Sequence, residues 1–96
     1  MSKLSSQGIK MMKYRIEIVV RRKSGVADPE GNTINDALRR LGHNEVSSVR
    51  VAKLFDVFVE SDDAFKARDA AVKIAQEVLV NPVIENFEIL DIEEIQ

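Results

Sequence analysis

The sequence predicts an α+β domain of two layers, in the order β-α-β-α-β, with a mainly antiparallel sheet, two helices on one of its faces and a long or bent middle strand. Three observations carry that expectation. Three segments alternate apolar and polar residues, as half-buried strands do. Two segments between them repeat apolar residues at helical spacing, each behind an Asp able to cap a helix. At 96 residues the chain has room for one core and little else.

The first strand runs from Tyr14 to Arg22, where Tyr14, Ile16, Ile18 and Val20 point to one side and Arg15, Glu17 and Arg21 to the other. A polar loop with Gly25 follows, ending at Asp28-Pro29-Glu30. There Asp caps a helix whose first turn loses nothing to a proline. Ile34, Ala37, Leu38 and Leu41 fall at i, i+3, i+4 and i+7, and Gly42 can take the left-handed conformation that closes the helix. Between Val49 and Glu60, Val49, Val51, Phe55, Val57 and Val59 share one parity, with Leu54 and Phe58 on the other. Lys53 stands where that parity calls for an apolar residue, which predicts a bulge or bend over Ala52 to Leu54. Ser61-Asp62-Asp63 opens the second helix, with a stripe of Ala64, Ala67, Ala71, Ile74, Ala75, Val78 and Leu79; Asn81-Pro82 ends it. From Phe87 to Ile95 a strand sets Phe87, Ile89 and Asp91 against Glu88, Leu90 and Ile92 and carries an acidic tail. Residues 1–11 mix Ser, Lys, Gln and Gly without the apolar run of a signal peptide and read as a leader or vector-derived extension, leaving 12–96 as the single domain.

With both helices on one face, the other face is left carrying Leu54, Phe58 and Leu90 or Ile92, more apolar material than a solvated face displays, so self-association is expected. The 14 Lys and Arg against 16 Asp and Glu, a net charge of -2, provide no overall field for a polyanion. No nucleic-acid partner is expected. The absence of cysteine removes disulfides, thiol nucleophiles and cysteine zinc sites, and fits an intracellular, cytoplasmic address. No stretch approaches the roughly 20 apolar residues of a membrane span.

No catalytic set is visible in the sequence. His43, the one histidine, follows Gly42 at the negative end of the first helix, a helix-terminal role. Glu85, Glu88, Asp91, Glu93 and Glu94 match no calcium loop and read as a solvated face; Asp62 and Asp63 read as helix-start residues. Gly25 and Gly31 bracket a helix start but lack the Lys-Ser/Thr pair of a P-loop. An anion at that helix N-terminus, beside Arg21, Arg22 and Lys23, would be opposed by Asp28 and Glu30. The rival reading is a free-standing RNA- or ligand-binding module with an open sheet face, for which aromatic residues, at 5%, are thin.

Three stretches are more specific: Val26-Ala27-Asp28-Pro29-Glu30-Gly31-Asn32, Val49-Arg50-Val51-Ala52-Lys53, and Asn81-Pro82-Val83-Ile84-Glu85-Asn86-Phe87. In order and spacing they resemble the PurS family, over everything from about Met12 onward. Ala52 departs from the glycine often found there, while Arg50 and Lys53 are kept in place. The resemblance implies a PurS-like fold and the role of non-catalytic subunit of phosphoribosylformylglycinamidine synthase. In that enzyme of purine biosynthesis a glutaminase subunit, PurQ, releases ammonia and a synthetase subunit, PurL, uses ATP. PurS, as a homodimer or homotetramer, bridges the two and supports ammonia transfer. It also implies that this chain binds no cofactor, with ATP, magnesium and glutamine used by the partners. Arg50 and Lys53, long cations on a packing strand, are the candidate interface residues together with the outward Leu54 and Phe58.

Overall fold

The computed structural model describes residues 10–96, so that of the leader proposed over 1–11 only Lys10 and Met11 fall within the described residues. Strand β1 (Met12–Arg22) forms the centre of a three-stranded sheet, with β2 (Ala52–Ser61) and β3 (Glu85–Ile95) on its two sides, both antiparallel to it. The central position follows from the sequence: Tyr14, Ile16, Ile18 and Val20 supply one continuous apolar row, and all four are buried. Opposite them, the same side of the sheet receives Phe55, Val57 and Val59 from β2, and Phe87, Ile89 and Ile92 from β3.

Helix α2 (Ala64–Ile74) lies on this face. Its Ala67 and Ala71, with Ala75 one turn on, are fully buried, and these small side chains let the helix approach β1 closely enough to seal Ile16 and Ile18. Each aliphatic side chain so buried contributes about 1.5–3 kcal/mol. Asp63 caps the start, accepting from the Lys66 amide at 2.8 Å. The helix continues as a single π-helical turn over Ala75–Leu79, in which the Val80 amide reaches the Ala75 carbonyl at 3.0 Å. That widened turn carries both Leu79 and Val80 to the core and leaves Val78 outside.

Helix α1 (Pro29–Arg40) is also an amphipathic helix, capped by Asp28 and closed by Gly42 at φ +95°, with the Gly42 and His43 amides bonded to the Arg39 and Leu38 carbonyls. Its seat differs from the sequence expectation. It does not lie on the sheet: only Gly31 is buried, while Ile34 and Leu41 stay exposed. The chain returns alongside it, Arg39 donating to the Val46 carbonyl at 3.0 Å and the Val49 carbonyl resting against Gly31, before entering β2.

The bulge expected over Ala52–Leu54 is absent. The β1–β2 register runs unbroken from Met12 opposite Ser61 to Arg21 opposite Ala52. Lys53 keeps the helical-face parity, opposite Val20, at an exposed position beside a cavity of about 120 Å³ that it lines with Arg22, Asp28, Glu30 and Glu85, so its ammonium stays in water without a bulge. The irregularity lies instead between β1 and β3: Glu17 faces Asp91 and Ile18 faces Ile89, so Leu90 is skipped and pushed outward.

Candidate interface surfaces

At the end of β1 the chain brings together segments far apart in sequence. The Asp28 carboxylate, almost completely buried, accepts from the Gly31 amide at 2.9 Å and, with its other oxygen, from the Val51 amide at 2.7 Å. One side chain thus caps α1 and pins the entry to β2. The Val51 amide above all, then the Gly31 amide, with Arg22 and Arg50 nearby, hold this carboxyl below its ordinary pKa. Gly31 has to be glycine for a packing reason: a Cβ would run into the Val49 carbonyl oxygen. Arg50 donates to the Val26 and Lys23 carbonyls at 2.9 and 3.2 Å, and Arg22 to the Ala27 carbonyl at 2.7 Å. Lys23 completes the joint, with Nζ 2.7 Å from the Pro82 carbonyl and its amide 2.8 Å from that of Ile84. The segments 26–32, 49–53 and 81–87 therefore meet at one end of the sheet.

The face opposite α2 is open. At its centre Arg15 is surrounded by carboxylates from all three strands: Glu93 at 3.1 Å, Asp56 at 3.0 Å, Glu17 at 3.3 Å and Asp91 at 3.4 Å. Hydrogen bonding to Glu93 first, then to Glu17 and Asp56, pushes its pKa further above an already high value. Toward the β1 end the face turns apolar. Leu54, Phe58 and Leu90 are roughly half exposed, and Val19, between Leu54 and Glu88 in the register, is covered by its neighbours to 5% exposure.

The four candidate interface residues fall in three places. Arg50 precedes β2 and ties down the 23–27 loop; Lys53 is on the helical face; Leu54 and Phe58 share the open face. Sequence reading missed Asp28 as a cross-link, Gly31 as a contact and Arg15 as a hub. Asp28 and Gly31 have a sufficient local explanation as a helix start, and Arg15 needs the strand register to find its partners. His43 is exposed, its Nδ1 3.7 Å from Glu45, and Asp62 and Asp63 sit at the α2 start, where Lys66 holds the Asp62 carboxyl below its usual range. Among the described residues no group of three or more His, Asp or Glu is placed to hold a metal.

The family model for PurS, described as phosphoribosylformylglycinamidine (FGAM) synthase, matches residues 15–93. The chain belongs to the PurS family. The PurS subunit of this synthase from Methanocaldococcus jannaschii is 36% identical over 76 residues, 79% of this chain and 92% of the relative. That from Bacillus subtilis is 33% identical over 77% of this chain and 87% of its own. Among solved structures, Thermus thermophilus PurS superposes with a TM-score of 0.79 at 27% identity, covering 88% of this chain and 99% of that one. A chain of the PurLQS structure from Thermotoga maritima superposes with 0.72 at 34% identity, covering 90% and 99%. The fold these PurS chains share is the α+β arrangement described above, a three-stranded antiparallel sheet with two helices.

Proposed function

We propose that this PurS family member is the non-catalytic assembly subunit of phosphoribosylformylglycinamidine synthase, joining a PurL synthetase subunit to a PurQ glutaminase subunit and supporting ammonia transfer between them. The observation that carries the reading is the PurLQS structure from Thermotoga maritima, one chain of which has this fold, 34% identity and almost the same length. The chain's surfaces suit such a role. Helix α1 presents Ile34 and Leu41 without an apolar neighbour from its own sheet, and Leu54, Phe58 and Leu90 crowd the open face. Ser47, Ser48 and Val49 lie in a stretch outside any helix or strand whose amides make no bond among the described residues, and are free for pairing. A second copy, presenting the same stretch antiparallel about a two-fold axis, satisfies both edges at once and yields the homodimer from which a tetramer is built. ATP, magnesium and glutamine are handled by the partners, and the complex works in the cytoplasm. No helix among the described residues is long and apolar enough to cross a membrane.

Reconstitution tests the reading. Amidine formation is measured with the synthetase and glutaminase subunits, with and without this chain, using glutamine or ammonia as nitrogen source. The glutamine-dependent rate is expected to need the chain; equal rates without it would refute the role. The mass of the purified chain should be that of a dimer or tetramer, and Leu41→Asp should lower it.

A further inference from the structure

Beside the joint at the end of β1 lies a cleft of about 470 Å³ walled by three arginines, Arg21, Arg22 and Arg50, with Ser24 and Gly25 at its rim. No ion pair among the described residues involves any of the three. Of the acids around it, Asp28 has both oxygens occupied by backbone amides, Glu30 and Glu85 line the adjoining helical-face cavity with Arg22, and Glu88 shares a shallow pocket with Arg21, yet none is within ion-pair distance of the three arginines. A guanidinium carries five N–H donors. Arg50 has bonded two of its nitrogens to backbone carbonyls and Arg22 one, while the Arg21 side chain makes no hydrogen bond among the described residues. The turn adds to this surplus, since the Ser24 and Gly25 amides also find no protein acceptor and Gly25, at φ +86°, has nothing within 4 Å of where a Cβ would sit. This cleft is distinct from the α1 N-terminus, whose amide Asp28 already fills.

We propose that the cleft binds the phosphate group of a small phosphorylated molecule, held by Arg21, Arg22 and Arg50. Three arginines line the one cleft, each keeping unused donors, and none has a carboxylate partner among the described residues. A single carboxylate neutralises one of them; a phosphate brings about two charges and three acceptor oxygens, which match the planar forks of several arginines. The volume falls within the range of small-molecule sites, about 300–1,000 Å³. A nucleic-acid track does not fit, because the neighbouring open face carries Glu17, Asp56, Asp91 and Glu93 around its one arginine. The site is independent of the subunit role, which stands or falls by the reconstitution.

The test titrates the purified full chain with inorganic phosphate and pyrophosphate at low salt, followed by calorimetry and amide NMR. Saturable binding is expected, with shifts centred on residues 21–25 and 50–52 and an affinity that falls as salt is added. Arg21→Glu and Ser24→Glu, both at exposed positions without side-chain bonds, should each weaken pyrophosphate roughly tenfold or more while circular dichroism stays unchanged. Absence of saturation by about 10 mM pyrophosphate overturns the proposal. So does binding that neither variant alters, and so does a glutamate-rich peptide binding more tightly than pyrophosphate, which would make the cleft a protein-docking patch.

Discussion

The two helices of this domain begin alike and end up in different situations. Each is capped by an Asp that accepts from the amide three residues on, Asp28 from Gly31 and Asp63 from Lys66, and each has an apolar stripe. Yet α2 buries Ala67 and Ala71 completely and is held along its length by apolar contact with the sheet, whereas α1 buries only Gly31 and is held at its root. The difference teaches that caps and periodicity specify a helix without specifying what it docks on. For α1 the decisive contacts are polar and lie at one end: the Asp28 carboxylate reaching Val51, Arg50 reaching Val26, and the Gly31 backbone against Val49.

Substitutions can break that contrast. The largest effect is expected from Gly31→Ala, which drives a methyl into the Val49 carbonyl and should cost about 3 kcal/mol, read as a fall in Tm of about 15 °C, although alanine is the better helix former. Next, Ala71→Leu should overpack the α2 seat by about 2 kcal/mol, while Ala37→Leu on α1 stays within about 0.5 kcal/mol, both by denaturant unfolding. If the two alanines respond equally, α1 is packed on its own sheet after all. The caps should divide in the same way. Asp28→Ala removes two bonds and strands the Val51 amide, for about 10 °C in Tm, against about 5 °C for Asp63→Ala, which removes one. Because the Asp28 pKa is depressed in the folded state, its contribution is present above the unfolded carboxyl pKa, about 3.9, and is lost as pH falls through the lower folded value. The gap in Tm between the native chain and Asp28→Asn should therefore hold above about pH 4 and begin to narrow only as the pH falls below it. The smallest effect belongs to Lys66→Ala, which breaks an exposed i,i+4 pair with Asp62 and should shift Tm by about 1 °C.

Much of the fold could be read from the residues. The alternation of Tyr14 to Val20 placed β1, and the Asp-Pro and Asp-Asp starts placed both helices, because these signals are local. Lys53 misled for a physical reason: it keeps the core parity of β2 but stands at an exposed position on the helical face, where a lysine fits without any bulge. The true irregularity had a signal in β3, an Asp at 91 where Phe87 and Ile89 call for an apolar residue and an Ile at 92 that resumes it. The surfaces were harder. Arg15 looks like any outward strand residue until the register sets Asp56, Asp91 and Glu93 around it, and the second bond of Asp28 crosses 23 residues, so no local pattern reveals it.

The Arg15 cluster also has a kinetic side. Four carboxylates around one guanidinium leave three negative charges in the middle of the open face, while Arg21, Arg22 and Arg50 gather at one end of the sheet. A chain with its charge separated in this way carries a dipole that turns an approaching partner before any contact is made. Encounter should accordingly be fast and oriented at low ionic strength and slow as salt screens the field, with the lifetime of the formed complex much less affected.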